Sequence, residues 1–351
     1  MRRAVDIPDG LGVEELMRAA IHEARSTYPH PNPRVGAIIV TPDHRVLSVG
    51  VHEGPGTPHA EADALDHLPE IGLARGATVI VSLEPCSHHG RTPPCADALI
   101  DAGVARVVVG ATDPDPRVAG TGLARLEGAG IEVVSGVVAE EVVAADPGYF
   151  HHRRTGLPFV TLKVATTLDG QVAAVDGTSR WITGKEARED VHRLRAEHDA
   201  IITGMGTVIA DDPALTVRLE GYKGPQPVPV VLAGRRPLPS GAAIGDRDPL
   251  VFRAGSDGRV DIGAMLEELG ARGIVSAMVE AGPTLAHSFL AAGAVDRIVW
   301  YLGGRLAGGV GLPAFDARFE TIGDAIDISI QSVERVGGDV RIIADPRPGG
   351  R

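Results

Sequence analysis

Pro58-His59-Ala60-Glu61 and, further on, Pro85-Cys86-Ser87-His88-His89-Gly90-Arg91-Thr92-Pro93-Pro94-Cys95 are the two pieces on which the reading of this chain turns. Together they bring one imidazole, two thiols and one carboxylate. An imidazole and two thiolates suit three corners of a tetrahedral Zn2+ site, and a catalytic zinc keeps the fourth corner for water. His59, Cys86 and Cys95 are the candidate ligands. Such a metal lowers the pKa of its water toward neutrality. Glu61, off the metal, is the candidate shuttle that carries protons from water to a ring nitrogen and then to a departing amine.

Each candidate ligand follows a proline: Pro58, Pro85 and Pro94. Ala-rich runs follow His59 and Cys95. Proline is tolerated in a first helical turn, where its missing N–H costs nothing. Both runs are therefore predicted to be helices opening at a proline, with N-termini that favour thiolate at the metal. A regular helix turns residues two apart to roughly opposite sides, so His59 and Glu61 cooperate only if His59 sits at an irregular first turn. The alternative for two cysteines is a disulfide; zinc is the preferred reading for a chain with two cysteines and no secretory leader. His88 and His89 are read as lining the pocket or facing solvent, because three protein ligands suffice.

Outward from the metal segments, helices alternate with strands. Leu16, Met17, Ala20, Ile21 and Ala24 make a helical stripe over 13–24. Strands are predicted over 35–40 and 45–51 around a turn at 41–44, then over 77–83, 106–110 and 131–134, with helices between. That alternation predicts a layered α/β domain with its ligands at strand-to-helix turns. Residues 146–158 are polar, basic and punctuated, and read as a terminal helical turn and a linker.

The chain has 351 residues, 44% of them apolar, and a formal charge of −12. That length predicts roughly two domains. The charge argues against general binding to nucleic acid or to an acidic membrane. No apolar run is long enough to span a bilayer, and the N-terminus lacks the apolar core of a signal peptide; a cytoplasmic location is expected.

In the second half, strands are predicted over 159–164, 200–204, 228–232, 250–253, 274–280 and 297–302, with helices over 185–197 and 285–292. A closing hairpin is predicted over 326–343 through Gly337-Gly338. No Gly-x-Gly-x-x-Gly follows a first strand, so an ordinary dinucleotide fold is unsupported. Two strand–glycine units, at 203–207 and 280–288, could each take a phosphate on free backbone N–H groups.

The zinc pieces fit the general pattern of nucleobase deaminases, except that eight residues instead of two separate the cysteines. That insert, with the upstream His30-Pro31-Asn32-Pro33-Arg34-Val35-Gly36, resembles the deaminase half of the bifunctional deaminase/reductase family of riboflavin biosynthesis. Leu162 to Gly170, Ser179 to Thr183, Thr203 to Arg218, and Val279 to Ala286 resemble, in order, the reductase half of the same family. A deaminase of free nucleosides, nucleotides or RNA bases is the rival reading, and it has no use for those four blocks.

The resemblance implies a cytidine-deaminase-like three-layer αβα domain over 1–150, a linker over 151–158, and a dihydrofolate-reductase-like α/β domain over 159–351. It implies one Zn2+ per chain, NADPH, and a small pyrimidine ribotide that is deaminated and then reduced. Asn32 and His52 match positions near the deaminase substrate. Ser179, Arg195 and Arg218 match positions that hold the substrate phosphate, which a planar guanidinium grips well. Leu215 and Glu280 match other substrate contacts, and Lys163 lies near the hydride-transfer centre. Ala165, Trp181, Thr207, Asp211, Gly282, Pro283, Thr284, Leu285, Ala286, His287 and Ser288 match NADPH contacts. A homo-oligomer, dimer or tetramer, completes the expectations, with no nucleic-acid or membrane partner.

Overall fold

The Val/Ile-rich runs of the first half pair into one sheet. The structure, a computed structural model, describes residues 7–88, 93–116, 118–317 and 319–347. Its first unit contains α1 (Val13–Ala24), β1 (Gly36–Val40), β2 (Val46–Val51), α2 (Ala60–Asp66), β3 (Thr78–Leu83), α3 (Cys95–Ala102), β4 (Arg106–Ala111), α4 (Thr121–Gly128), β5 (Glu132–Ser135), α5 (Ala139–Ala145) and α6 (Pro147–Thr155). The strand order is β2-β1-β3-β4-β5. β1 is antiparallel to both its neighbours, and β3, β4 and β5 run parallel. Every residue of β1 and β3 is buried, as continuous apolar strands covered on both faces should be.

Two glycines show how the layers close. A Cβ on Gly36 would lie 2.0 Å from the Ala20 carbonyl oxygen of α1, and one on Gly50 would lie 2.2 Å from the Ala60 oxygen of α2. Gly50 pairs with Ala37, the neighbour of Gly36. Paired residues share a face and adjacent residues alternate, so α1 and α2 cover opposite faces. The result is three layers.

The second unit contains β6 (Phe159–Thr167), β7 (Gln171–Ala173), α7 (Lys185–Ala196), β8 (Ala200–Gly204), α8 (Met205–Asp211), β9 (Val228–Gly234), β10 (Leu250–Arg253), α9 (Ile262–Ala271), β11 (Ser276–Glu280), α10 (Pro283–Ala291), β12 (Arg297–Gly303), β13 (Leu312–Pro313), β14 (Ile328–Val336) and β15 (Asp339–Pro346). Eight strands form one sheet in the order β10-β9-β8-β11-β6-β12-β15-β14. The first six are parallel, so their C-terminal ends share one edge, and the β14–β15 hairpin closes the other side.

Some expectations change. The chain divides into two compact units between Thr155 and Gly156. Residues 151–155, expected as linker, finish helix α6, where Tyr149 and Phe150 are buried. The strand–glycine unit at 203–207 runs straight into a helix, α8. Helix α9 was not anticipated, although Asp261 caps it by accepting the Ala264 N–H at 3.0 Å and Met265, Leu266 and Leu269 form its buried stripe. No described helix is long and apolar enough to cross a membrane.

Candidate active sites

The ends of β2 and β3 deliver the metal segments. His59 is the N-cap of α2, with extended backbone (φ −71°, ψ 161°), the irregular position its pairing with Glu61 requires. Pro94 is the N-cap of α3 and Cys95 its first residue. The prolines thus stand one or two residues before the helices and not at their first positions.

In a tetrahedral zinc site with bonds near 2.3 Å to sulfur and 2.05 Å to nitrogen, the nitrogen-to-sulfur edge is about 3.6 Å. His59 Nδ1 lies 3.5 Å from Cys86 Sγ and 3.3 Å from Cys95 Sγ. The three ligand atoms all fall within 4.8 Å of one another, and both cysteines are free thiols. The Cys95 N–H donates to Cys86 Sγ at 3.3 Å, and the Ala96 N–H to the Cys86 carbonyl at 3.1 Å. The start of α3 therefore points at Cys86, which favours thiolate. Hydrogen bonding from Cys95 outweighs burial and draws the Cys86 thiol well down, while Cys86, burial and Glu61 push Cys95 up. Cys95 and Glu61 are held toward their protonated forms by the neighbouring Cys86 charge and burial, a crowding of acids that a dication would relieve. The donor set fits zinc.

Glu61 is 3% exposed and does not join the ligand triangle. Burial, reinforced by the Cys86 charge, pushes its carboxyl up to about 7, a value suited to giving and taking protons near neutrality. Asn32 Nδ2 lies 2.9 Å from His52 Nε2, and His52 Nδ1 lies 2.9 Å from the Pro58 carbonyl. A carbonyl only accepts, so Nδ1 carries the proton and Nε2 accepts from Asn32. The Asn32 oxygen is then the end left for a ligand. His88 is exposed; His89 lies outside the described residues.

Several of the reductase candidates lie on the parallel side of the larger sheet. Glu280 ends β11 and pairs in register with Lys163 of β6, whose Nζ lies 3.9 Å from Glu280 Oε2. Arg195 of α7 grips Glu280 with two bonds, Nη2 to Oε2 being 3.0 Å, and gives Nη1 to the Thr216 carbonyl at 3.0 Å. Burial raises the Glu280 carboxyl, but Arg195 and then Lys163 outweigh it and hold it at about 2. Burial lowers Lys163, with Glu280 opposing. Arg195 and Glu280, expected as separate substrate contacts, are thus partners of each other. The Arg218 N–H donates to His192 Nδ1 at 3.2 Å. Leu215 is buried with φ +50°, a left-handed conformation rare outside glycine.

Ser179 is half-buried on the loop before α7. Trp181 on the same loop is 57% exposed, with the Arg188 guanidinium 4.4 Å from its ring centre. Arg180 donates to the Asp211 carbonyl at 3.2 Å, which brings that loop to the end of α8 and its half-buried Thr207. Gly282 is the N-cap of α10, Pro283 its first residue, and Leu285 packs over Gly204. Thr284 donates to Asp316, and Ser288 bonds back to the Thr284 carbonyl. Ala165 packs with Ala187, Val299 and Tyr301. Ala286 is core, and His287 lines an apolar groove with Ile298, Trp300 and Phe315; neither is brought to the edge where Gly282 sits. Sequence reading did not place Arg188 and His192, which contact Trp181 and Arg218. Their spacing with Arg195 on α7, one helical face, was the available signal.

Comparisons with known proteins agree with this geometry. Residues 12–111 match the family described as the cytidine and deoxycytidylate deaminase zinc-binding region, and residues 158–342 match the RibD C-terminal domain. The riboflavin biosynthesis protein RibD of Mycobacterium tuberculosis H37Rv is 42% identical over 341 residues, 96% of each chain. Its Escherichia coli K12 counterpart is 40% identical, over 89% of this chain and 92% of that one. Among solved structures, Acinetobacter baumannii RibD superposes with a TM-score of 0.88 at 37% identity, covering 95% of this chain and 99% of that one. A Thermotoga maritima diaminohydroxyphosphoribosylaminopyrimidine deaminase/5-amino-6-(5-phosphoribosylamino)uracil reductase gives 0.86 at 33% identity, with the same coverage. The fold is thus cytidine-deaminase-like in the first unit and dihydrofolate-reductase-like in the second. With both domains matched in order and relatives similar from end to end, the chain belongs to the RibD family of riboflavin biosynthesis enzymes, in which a zinc-binding deaminase domain is joined to a reductase domain.

Proposed function

We propose that the chain catalyses two consecutive steps on one pyrimidine ribotide. The first removes an exocyclic amine from 2,5-diamino-6-ribosylamino-pyrimidinone 5-phosphate by hydrolysis. The second reduces the ribosyl group to ribityl with NADPH. The observation that carries the reading is the triangle of His59, Cys86 and Cys95 with a buried Glu61 beside it and outside it. His59, Cys86 and Cys95 would hold Zn2+, which when bound would make hydroxide available near neutral pH. Glu61 is placed to accept a proton from water, donate it to the ring nitrogen, and then protonate the departing amine. Water and amine become carbonyl and ammonia, with no net proton. Asn32, its amide nitrogen committed to His52, offers its oxygen to an N–H of the ring.

In the second step one hydride goes to C1′ of the sugar and one proton to the ring oxygen as the C1′–O4′ bond opens. NADPH, when bound, supplies the hydride. Ser179 and Arg218 hold the 5-phosphate, and Arg195 acts by bracing Glu280 beside Lys163. NADPH over NADH is supported by a cavity of about 560 Å3 whose lining includes Gly206, Gly234, Arg235, Arg236 and Asp257. Two guanidinium groups at the C-terminal end of β9 suit a 2′-phosphate. A cytoplasmic location fits a chain whose two cysteines both serve the metal. The chain also reads as a homo-oligomer, supported by the edge strand β14, where Ile330 and Val333 are each 60% exposed.

The test incubates the diaminopyrimidinone ribotide with and without NADPH, using wild type, Glu61→Gln and Arg218→Ala. Glu61→Gln should lose ammonia release by about 100-fold or more yet still reduce pre-deaminated substrate. Arg218→Ala should do the opposite. Loss of both steps in each folded variant refutes the two-site reading.

A further inference from the structure

We infer that Glu84 is a positioning residue for the deaminase metal: it fixes Cys86 by clamping the strand end that carries this ligand to the first turn of α4. The inference rests on reading Cys86 as a zinc ligand. Glu84 lies two residues before Cys86 and is 4% exposed. Its Oε1 accepts the Gly122 and Leu123 N–H groups at 2.9 and 3.4 Å, and its Oε2 accepts those of Gly120 and Asp113 at 3.0 and 3.3 Å. A carboxylate has about four acceptor directions, so these four donors saturate it. Helix α4 has no cap of its own, because its N-cap is Gly120. Its orphan N–H groups must find an acceptor elsewhere, and Glu84 reaches in from the neighbouring chain segment to provide it.

The clamp has further parts. The Glu84 N–H bonds to the Ala111 carbonyl at 2.9 Å, which holds residue 84 against the end of β4. The ring of Pro85 fixes its own φ. A Cβ on Gly122 would lie 1.9 Å from the Pro85 carbonyl oxygen, so only glycine lets α4 sit this close to the ligand arm. Beyond Cys86, Ser87 Oγ lies 2.7 Å from Thr121 Oγ1. Cys86 is therefore held on both flanks by α4, and from across the site by the Cys95 N–H. Residues that orient metal ligands in this way set metal affinity.

The test follows zinc release from the full chain to a chromogenic chelator, together with the thiolate-to-cobalt charge-transfer band of the Co2+-substituted enzyme. Glu84→Gln keeps the shape and one acceptor oxygen but turns an amide nitrogen toward two donors. It should release zinc about tenfold faster or more and weaken the charge-transfer band, while reduction of pre-deaminated substrate stays at the wild-type rate. Ser87→Ala, a surface change, should release zinc about threefold faster. In a Cys86→Ser background Glu84→Gln should add nothing, because its effect passes through that sulfur. Unchanged release and spectrum in Glu84→Gln, or the same acceleration with Cys86 already replaced, would reduce Glu84 to a helix cap. If Glu84→Gln does not fold, Ser87→Ala decides, and an unchanged release rate overturns the inference. A wild type that takes up no zinc defeats the metal reading as well.

Discussion

His52 joins Asn32 to the Pro58 carbonyl, one residue before the candidate ligand His59. Its matched role was substrate contact, but its ring nitrogens are spent on the protein. His52→Ala should free the Asn32 amide to rotate and raise the KM for ammonia release about tenfold, the worth of one hydrogen bond, with zinc content unchanged. Equal KM values for the two proteins would show that Asn32 needs no such brace. At this scale the triangle of His59, Cys86 and Cys95 was legible as a candidate metal site because its chemistry is written in residue type and spacing. The partners of His52, His192 and Glu84 were not, because each lies 20 or more residues away in the chain.

Helix α7 and strand β11 meet through Arg195 and Glu280. The Glu280 carboxyl is held at about 2, below its ordinary 4.5. A depressed carboxyl contributes stability above its ordinary pKa and loses it as pH falls toward the folded value. The shift corresponds to roughly 3 kcal/mol. Both tryptophans, Trp181 and Trp300, lie in the second unit, so their fluorescence reports its unfolding alone. Between pH 5 and 3 the wild-type midpoint in urea should fall, and that of Glu280→Gln should change much less; parallel curves would remove Glu280 as the cause. Strands and long helices were readable from period and apolar runs. Helix α9 escaped because Gly263 and Gly270 interrupt its propensity, and α8 because its Met205-Gly206 opening reads as a loop.

The whole molecule is two compact units, each with its own sheet. Removing the metal with a chelator should abolish ammonia release and leave reduction of pre-deaminated substrate within about twofold, since the candidate ligands all belong to the first unit. Reduction lost in step with zinc would mean that the second unit depends on the metal. The exposed apolar edge strand β14 makes a separate claim: wild type should sediment as a dimer or larger, and Ile330→Lys with Val333→Lys as a monomer. The number of domains, and a break within 151–158, were legible in the sequence, but that residues 151–155 finish a helix was not, since α6 is polar and its burial rests on Gly148, Tyr149 and Phe150. Because the break falls after Thr155, at a left-handed Gly156 with φ +77°, a new stop and start codon there would sever no strand. Two co-expressed half-genes should then support growth of a riboflavin auxotroph lacking both activities, whereas a cut after residue 150 would split α6 and fail.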